Sequence, residues 1–226
     1  MGLERARVAV GRVFFERCFW LFAVVVTMIA VTPFVEPTTH GRLVLGALNA
    51  FVVVASVAAV GRSALSFVIA LLLAIPALLL QAMSILYDDR PLIWQAWALG
   101  AAVYALTIGY LLRYVFRPEV MTADKLWGAA AAYLLIGVFW TYLYATVGVF
   151  YVPSFAEGGN PGTIDLYDLL YFSFTALTST GFGDIVPISR QARSLAVLEQ
   201  ITGALYLAIL IARLAGVYPP RSRDEG

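Results

Sequence analysis

Charge is scarce in this sequence. Of its 226 residues only 13% are Asp, Glu, Lys or Arg, while 62% are hydrophobic and the mean hydropathy is +0.86. That balance lies far outside the range of soluble globular domains and points to a membrane protein. Cysteine and histidine are scarcer still. The single Cys18 excludes an intrachain disulfide, and with the single His40 it makes no thiolate or imidazole metal cluster. Cys18 therefore reads as an ordinary lipid- or helix-facing residue. The net charge is +1, and the few basic residues stand at the ends of apolar runs, so no nucleic-acid surface is expected. No Ser–His–Asp set or carboxylate pair recurs at membrane depth, and His40 falls in a predicted outer loop. The chain is not expected to be an enzyme, and no cofactor is implied.

What is abundant is apolar length. Spans are predicted at about 13–32, 43–60, 64–86, 92–116, 126–152 and 194–216. Arg5, Arg7, Arg12 and Arg17 precede the first, which is long for a signal peptide and lacks a small-x-small cleavage site, so it is expected to be retained. Pro33 and Pro37 place a loop after it, containing Glu36 and His40. Pro76 interrupts the third span, where the freed carbonyl must find a partner inside the protein. The linker from Pro118 to Lys125 divides the chain into an N-terminal domain (1–117) and a second domain (118–226), and Thr122 is a candidate cap for the helix that follows. In that fifth span Trp127 lies near one end and Tyr142, Tyr144, Phe150 and Tyr151 toward the other, the places of two interfacial aromatic belts.

Between the last two spans lies the most informative stretch. A polar, glycine-rich turret (153–162) leads to a helix expected at about Asp165 to Thr178, too short to cross about 30 Å of hydrocarbon and therefore re-entrant. It runs into Gly181-Phe182-Gly183, closed by Asp184. Glycines alternating with ordinary residues let successive carbonyls point to one side, and such a row of oxygens is a cation site. The helix C-terminus aimed at the membrane centre adds partial negative charge there.

Thr178-Ser179-Thr180-Gly181-Phe182-Gly183-Asp184 resembles the T-T-V-G-Y-G-D selectivity filter of tetrameric potassium channels. Ser179, Thr180 and Phe182 stand where that family usually has Thr, Val or Ile, and Tyr. The resemblance is specific over about 167–216. It implies an all-α membrane protein with six transmembrane helices and a re-entrant pore helix, assembled as a homotetramer around one pore. It also implies that K⁺ is bound by Ser179, Thr180, Gly181, Phe182 and Gly183, with Asp184 at the outer mouth. Thr175 occupies the position where some members carry a Glu behind the filter, and Gly203 the position of a hinge glycine. Close helix packing through Gly203 is an equal alternative. By family register Ala204, Leu207 and Ile211 face an apolar inner cavity. The charged fourth helix of voltage-gated members is missing, since the fourth span has no basic residue before Arg113, which with Arg117 is expected to snorkel to the headgroups.

With both termini on one side, that side carries eleven Lys and Arg (Arg5, Arg7, Arg12, Arg17, Arg62, Arg113, Arg117, Lys125, Arg213, Arg221, Arg223) against four opposite (Arg42, Arg90, Arg190, Arg193). The positive-inside rule puts the termini in the cytoplasm and the chain in the plasma membrane. Glu36, Asp88, Asp89, Glu157, Asp165, Asp168 and Asp184 then fall outside, where an acidic mouth would raise local cation concentration; solvated loops explain most of them equally, and only Asp184 is placed by motif. Glu199 is the one acidic residue within a predicted span. It is a candidate support for the filter through Thr175 or Thr180, with outer water or Arg193 as the plainer alternative. Few residues follow Gly216, so no ligand-binding domain is expected there. The expected function is passive K⁺ conduction. The alternatives are a non-selective channel that also passes Na⁺ through a filter loosened at Ser179 and Thr180, and a transporter or ancillary protein. Transporters commonly show paired repeats with broken helices, and this chain has no second glycine filter. The expected partners are lipid and further copies of the chain.

Overall fold

The computed structural model describes residues 17–35, 39–60, 64–87, 90–118 and 120–217. Arg5, Arg7, Arg12, Glu36, Pro37, Arg62, Asp88, Asp89, Arg221 and Arg223 lie outside them, and with them six of the fifteen Lys and Arg used to orient the chain.

Backbone groups in hydrocarbon have no water to bond, so apolar runs close their hydrogen bonds within helices. Among the described residues four helices precede the linker: α1 (Arg17–Val31), α2 (Thr39–Val60), α3 (Ala64–Tyr87) and α4 (Arg90–Val115). A 3₁₀ turn, Thr32–Phe34, ends α1 at Pro33. His40, expected in a loop, lies in the first turn of α2. Pro76 sits inside α3 without breaking it. The buried stripe of α1, Cys18, Leu21, Val25 and Met28, repeats every three or four residues and faces α5 (Ala123–Phe150) and α2. Cys18 is thus helix-facing, close against Gly128 of α5.

The N-terminal helices share a polar centre in an apolar body. Asn49 of α2 donates its side-chain nitrogen to Gln81 Oε1 of α3 (2.7 Å). Its Oδ1 accepts from Tyr142 of α5 (3.0 Å) and from Tyr104 of α4. Four helices are pinned at one depth. Tyr142 and Tyr144, expected in an interfacial belt, are instead buried and bonded inside the protein, because a phenol at depth needs an acceptor. Trp127 packs on Phe19 and Phe22.

Thr122 does cap α5, accepting from Lys125 N (3.3 Å). Asp124 in the first turn accepts from Cys18 N (3.1 Å) and from the hydroxyl of Tyr114 (2.7 Å). The linker is also tied to the last helix, α7 (Arg190–Val217), since Arg117 O accepts from Arg213 Nη2 (2.9 Å).

The mostly helical fold matches the all-α expectation, and between α5 and α7 it adds three short strands that the expectation did not include. The turret is a β-hairpin: β1 (Phe155–Glu157) pairs antiparallel with β2 (Asn160–Gly162) across Gly158-Gly159, both at positive φ. On its other edge β1 pairs with β3 (Ile185–Pro187), giving a small sheet of order β2-β1-β3. Phe155 anchors this sheet by edge contacts with Tyr144 and Phe172, at 5.7 and 5.3 Å. Between the strands lies α6 (Leu166–Leu177), capped by Asp165, which accepts from Asp168 N (2.9 Å).

Among the described residues five stretches are long and apolar enough to cross a membrane: Arg17–Phe34, Phe67–Ser84, Trp94–Val115, Ala123–Phe150 and Arg190–Gly216. The apolar part of α2 is shorter, Leu43–Ala59. With 12 residues, α6 is about 18 Å long at 1.5 Å per residue and does not span.

Candidate pore loop and its support

The loop after α6 is held from below by the helix it leaves. Thr180 N and Gly181 N both donate to Thr175 O (2.9 and 3.2 Å), and Ser179 N donates to Ala176 O (2.9 Å). Above these anchors the backbone alternates. Ser179, Gly181 and Gly183 have positive φ (55°, 55° and 81°), and Thr180 and Phe182 between them do not. Gly181 and Gly183 reach that region at no steric cost; Ser179 does so against its Cβ. Among the described residues, no carbonyl oxygen from Thr178 to Gly183 accepts a hydrogen bond, although the segment is exposed on the protomer. A backbone of alternating φ sign with unpaired oxygens on it has the geometry to coordinate a cation.

A family model described as "Ion channel" matches residues 131–218, from within α5 to just past α7. That stretch is thus similar to ion channels. The voltage-gated potassium channel Kch of Escherichia coli (strain K12) is 28% identical over 169 residues, which cover 75% of this chain and 37% of that relative. The chain thus spans little more than a third of the relative's length. No solved structure matches.

The loop is also braced by residues that the motif alone does not reveal. Phe182 stacks on Tyr171 of α6, with ring centroids 6.3 Å apart and planes 4° from parallel. The hydroxyl of Tyr171 donates to Asp184, and that bond holds the Asp184 carboxyl below its ordinary value. Asp184 O in turn accepts from Gly158 N of the hairpin (2.9 Å), and Ser154 O accepts from Ile188 N (2.9 Å). The loop's exit is therefore sewn to the turret. Near the start of α6, burial and then the carboxylates of Asp165 and Glu157 push the Asp168 carboxyl up to about 6.

Behind the loop, Glu199 of α7 is fully buried. The expected contacts to Thr175 or Thr180 are absent. The hydroxyl of Thr175 turns back to Phe172 O (2.8 Å), and that of Thr180 meets Thr178 (2.8 Å). Arg193 bonds Pro187 O (3.0 Å), so the outer-interface alternative fails as well. Glu199 is held instead by the two other helices. Its Oε2 accepts from Tyr144 of α5 (2.5 Å), and its Oε1 lies 2.6 Å from Ser173 Oγ of α6. Three helices meet at one carboxyl group.

Two glycines let them come that close. A methyl group on Gly137 of α5 would fall 2.7 Å from the ring of Phe174. One on Gly203 of α7 would fall 2.0 Å from Leu177 O, the last residue of α6. Ala192, Ala196, Glu199, Gly203 and Tyr206 form the buried stripe of α7. Ala204, Leu207 and Ile211 lie off that stripe and are exposed on the protomer.

Proposed function

We propose that the chain is a potassium-selective channel, conducting K⁺ passively through a pore that four copies build around one axis. The observation that carries this reading is the alternation of φ at Ser179, Gly181 and Gly183, with carbonyl oxygens that find no partner in their own protomer. Oxygens from Ser179 to Phe182, supplied by each subunit, replace the hydration shell of a monovalent cation, and Gly183 and Asp184 shape the outer end. The potassium channel Kch supports K⁺ as the permeant ion, through likeness in sequence.

Symmetry follows from incompleteness. One loop closes no ring, and α7 outside its buried stripe leaves Leu198, Ile201, Leu205, Ile209 and Ile211 without cover. Cyclic assembly buries part of that surface and turns Ala204, Leu207 and Ile211 toward an apolar inner cavity that gates by dewetting. In this reading residues 118–226 form the pore domain and 1–117 a peripheral domain, with cytoplasmic termini in the plasma membrane. Gly203 acts as the contact point of α7 on α6. Thr175 serves through its carbonyl, as the anchor of the Thr180 and Gly181 amides.

Purified chain reconstituted in liposomes tests this directly. Electrodiffusive K⁺ flux that exceeds Na⁺ flux under equal gradients is expected. Saturable uptake coupled to a second ion would replace the channel reading with a transporter.

A further inference from the structure

Ser173 has one hydroxyl proton and lies between two oxygens that both ask for it. Its Oγ is 2.7 Å from Gly137 O and 2.6 Å from Glu199 Oε1, while Tyr144 donates to Glu199 Oε2 at 2.5 Å. Gly137 O is already served by the hydroxyl of Thr141 (2.9 Å). With Glu199 ionised, three short oxygen–oxygen contacts share two protons, one from Tyr144 and one from Ser173. One contact then sets lone pair against lone pair in a site sealed from water. A proton on Glu199 completes the chain: the acid donates from Oε1 to Ser173, Ser173 donates to Gly137 O, and Tyr144 donates to Oε2.

Among the described residues no cation pairs with Glu199. From α5 the titratable groups facing Glu199 are Tyr144 and Tyr133, the latter donating to Leu177 O (3.5 Å). From α6 Ser173 faces it, and β3 carries no titratable side chain. On its own helix Arg193 is turned to Pro187 O. A buried carboxylate without a cation is among the costliest arrangements a protein can hold, whereas a neutral acid with donor and acceptor both used is not.

We propose that Glu199 is a neutral carboxylic acid in the working channel, and that its proton pins the pore helix α6 between α5 and α7. Glu199 is a positioning residue. It acts on the filter through Ser173, which stands two residues before the carbonyl of Thr175 that anchors Thr180 and Gly181. Loss of the proton at alkaline pH removes the pin and frees the filter's footing. This rests on the pore reading above, but its spectroscopic test does not require conduction.

The test compares the full-length chain, reconstituted in bilayers, with its Glu199→Gln variant by infrared difference spectroscopy at neutral pH. The amide keeps a donor and an acceptor in the same places. The expected difference is loss of one protonated-acid C=O band; loss of carboxylate bands instead would overturn the proposal. Ser173→Ala, which removes the acceptor of the acid proton, is expected to shift that band to higher frequency, and an unmoved band would contradict the assigned contact. It decides the matter also if Glu199→Gln fails to assemble. In flux assays the wild type is expected to lose K⁺ conduction as pH rises, and Glu199→Gln to lose that decline. An alkaline decline of equal size in both would overturn the role of the proton. Absence of flux at every pH would count against the channel reading, and the infrared result would stand.

Discussion

Gly203 of the inner helix lies against the carbonyl oxygen of Leu177, so close that a methyl group on it would come within 2.0 Å of that atom. Two effects of Gly203→Ala then oppose each other. Alanine raises helix propensity by about 1 kcal/mol, while overpacking a tight contact costs about 1–3 kcal/mol. A backbone oxygen at the end of α6 cannot swing aside as a side chain can, so the clash wins. The expected result is a lower thermal midpoint for the detergent-solubilised protein. An unchanged or raised midpoint would mean that Gly203 serves flexibility and not contact.

Gly181 has open space around the position of a Cβ, so the cost of Gly181→Ala is purely in the backbone. At φ 55° that cost is about 1–2 kcal/mol, enough to empty a conformation that must be held against thermal motion. The variant is expected to keep its helical circular dichroism and to lose most of its K⁺ flux. Phe182, whose φ is ordinary, is expected to tolerate alanine better in the same flux assay.

The Tyr171–Asp184 bond makes the exit of the loop sensitive to acid. Because the folded state lowers the Asp184 carboxyl, its contribution is present above the ordinary carboxylate value and lost as pH falls through the lower folded value. Tyr171→Phe removes the bond and returns Asp184 toward its ordinary value. The acid limb of the flux–pH profile is therefore expected to move to higher pH in Tyr171→Phe. A limb that stays in place would place the titration elsewhere.

Asp168 carries the opposite sign. Its carboxyl is pushed up to about 6 by burial and by Asp165 and Glu157, so the folded state holds the proton more tightly than the unfolded chain. Stability is then expected to fall as pH rises from about 4 to about 6, the interval between the unfolded and folded values. Asp168→Asn keeps the backbone amide that Asp165 caps, and is expected to flatten that slope and melt higher than the wild type at pH 7. Melting curves across that interval check it.

The chain sequence disclosed its helices because lipid leaves a backbone little choice, and it disclosed the positive-φ loop after α6 because two glycines spaced by one residue leave a mark on a string. The cap Asp165 bounds α6 for the same local reason. The turret hairpin was hidden by strands of only three residues, one containing Pro161, although Gly158-Gly159 is a two-residue hairpin turn. The surroundings of Glu199 were less accessible still. Periodicity tells which face of a helix is buried, but the meeting of Tyr144, Ser173 and Glu199 depends on how far each of three separate helices is inserted. Tyr171 escaped notice because its partners, Phe182 and Asp184, lie across a turn whose geometry only the folded backbone fixes.

The reversal potential of the reconstituted protein, with K⁺ on one side of the bilayer and Na⁺ on the other, tests the central claim most directly. A backbone cage built on Ser179, Gly181 and Gly183 predicts a potential that follows the K⁺ gradient. A potential near zero under the same two ions would contradict it, and would leave a cation pathway that does not choose between them.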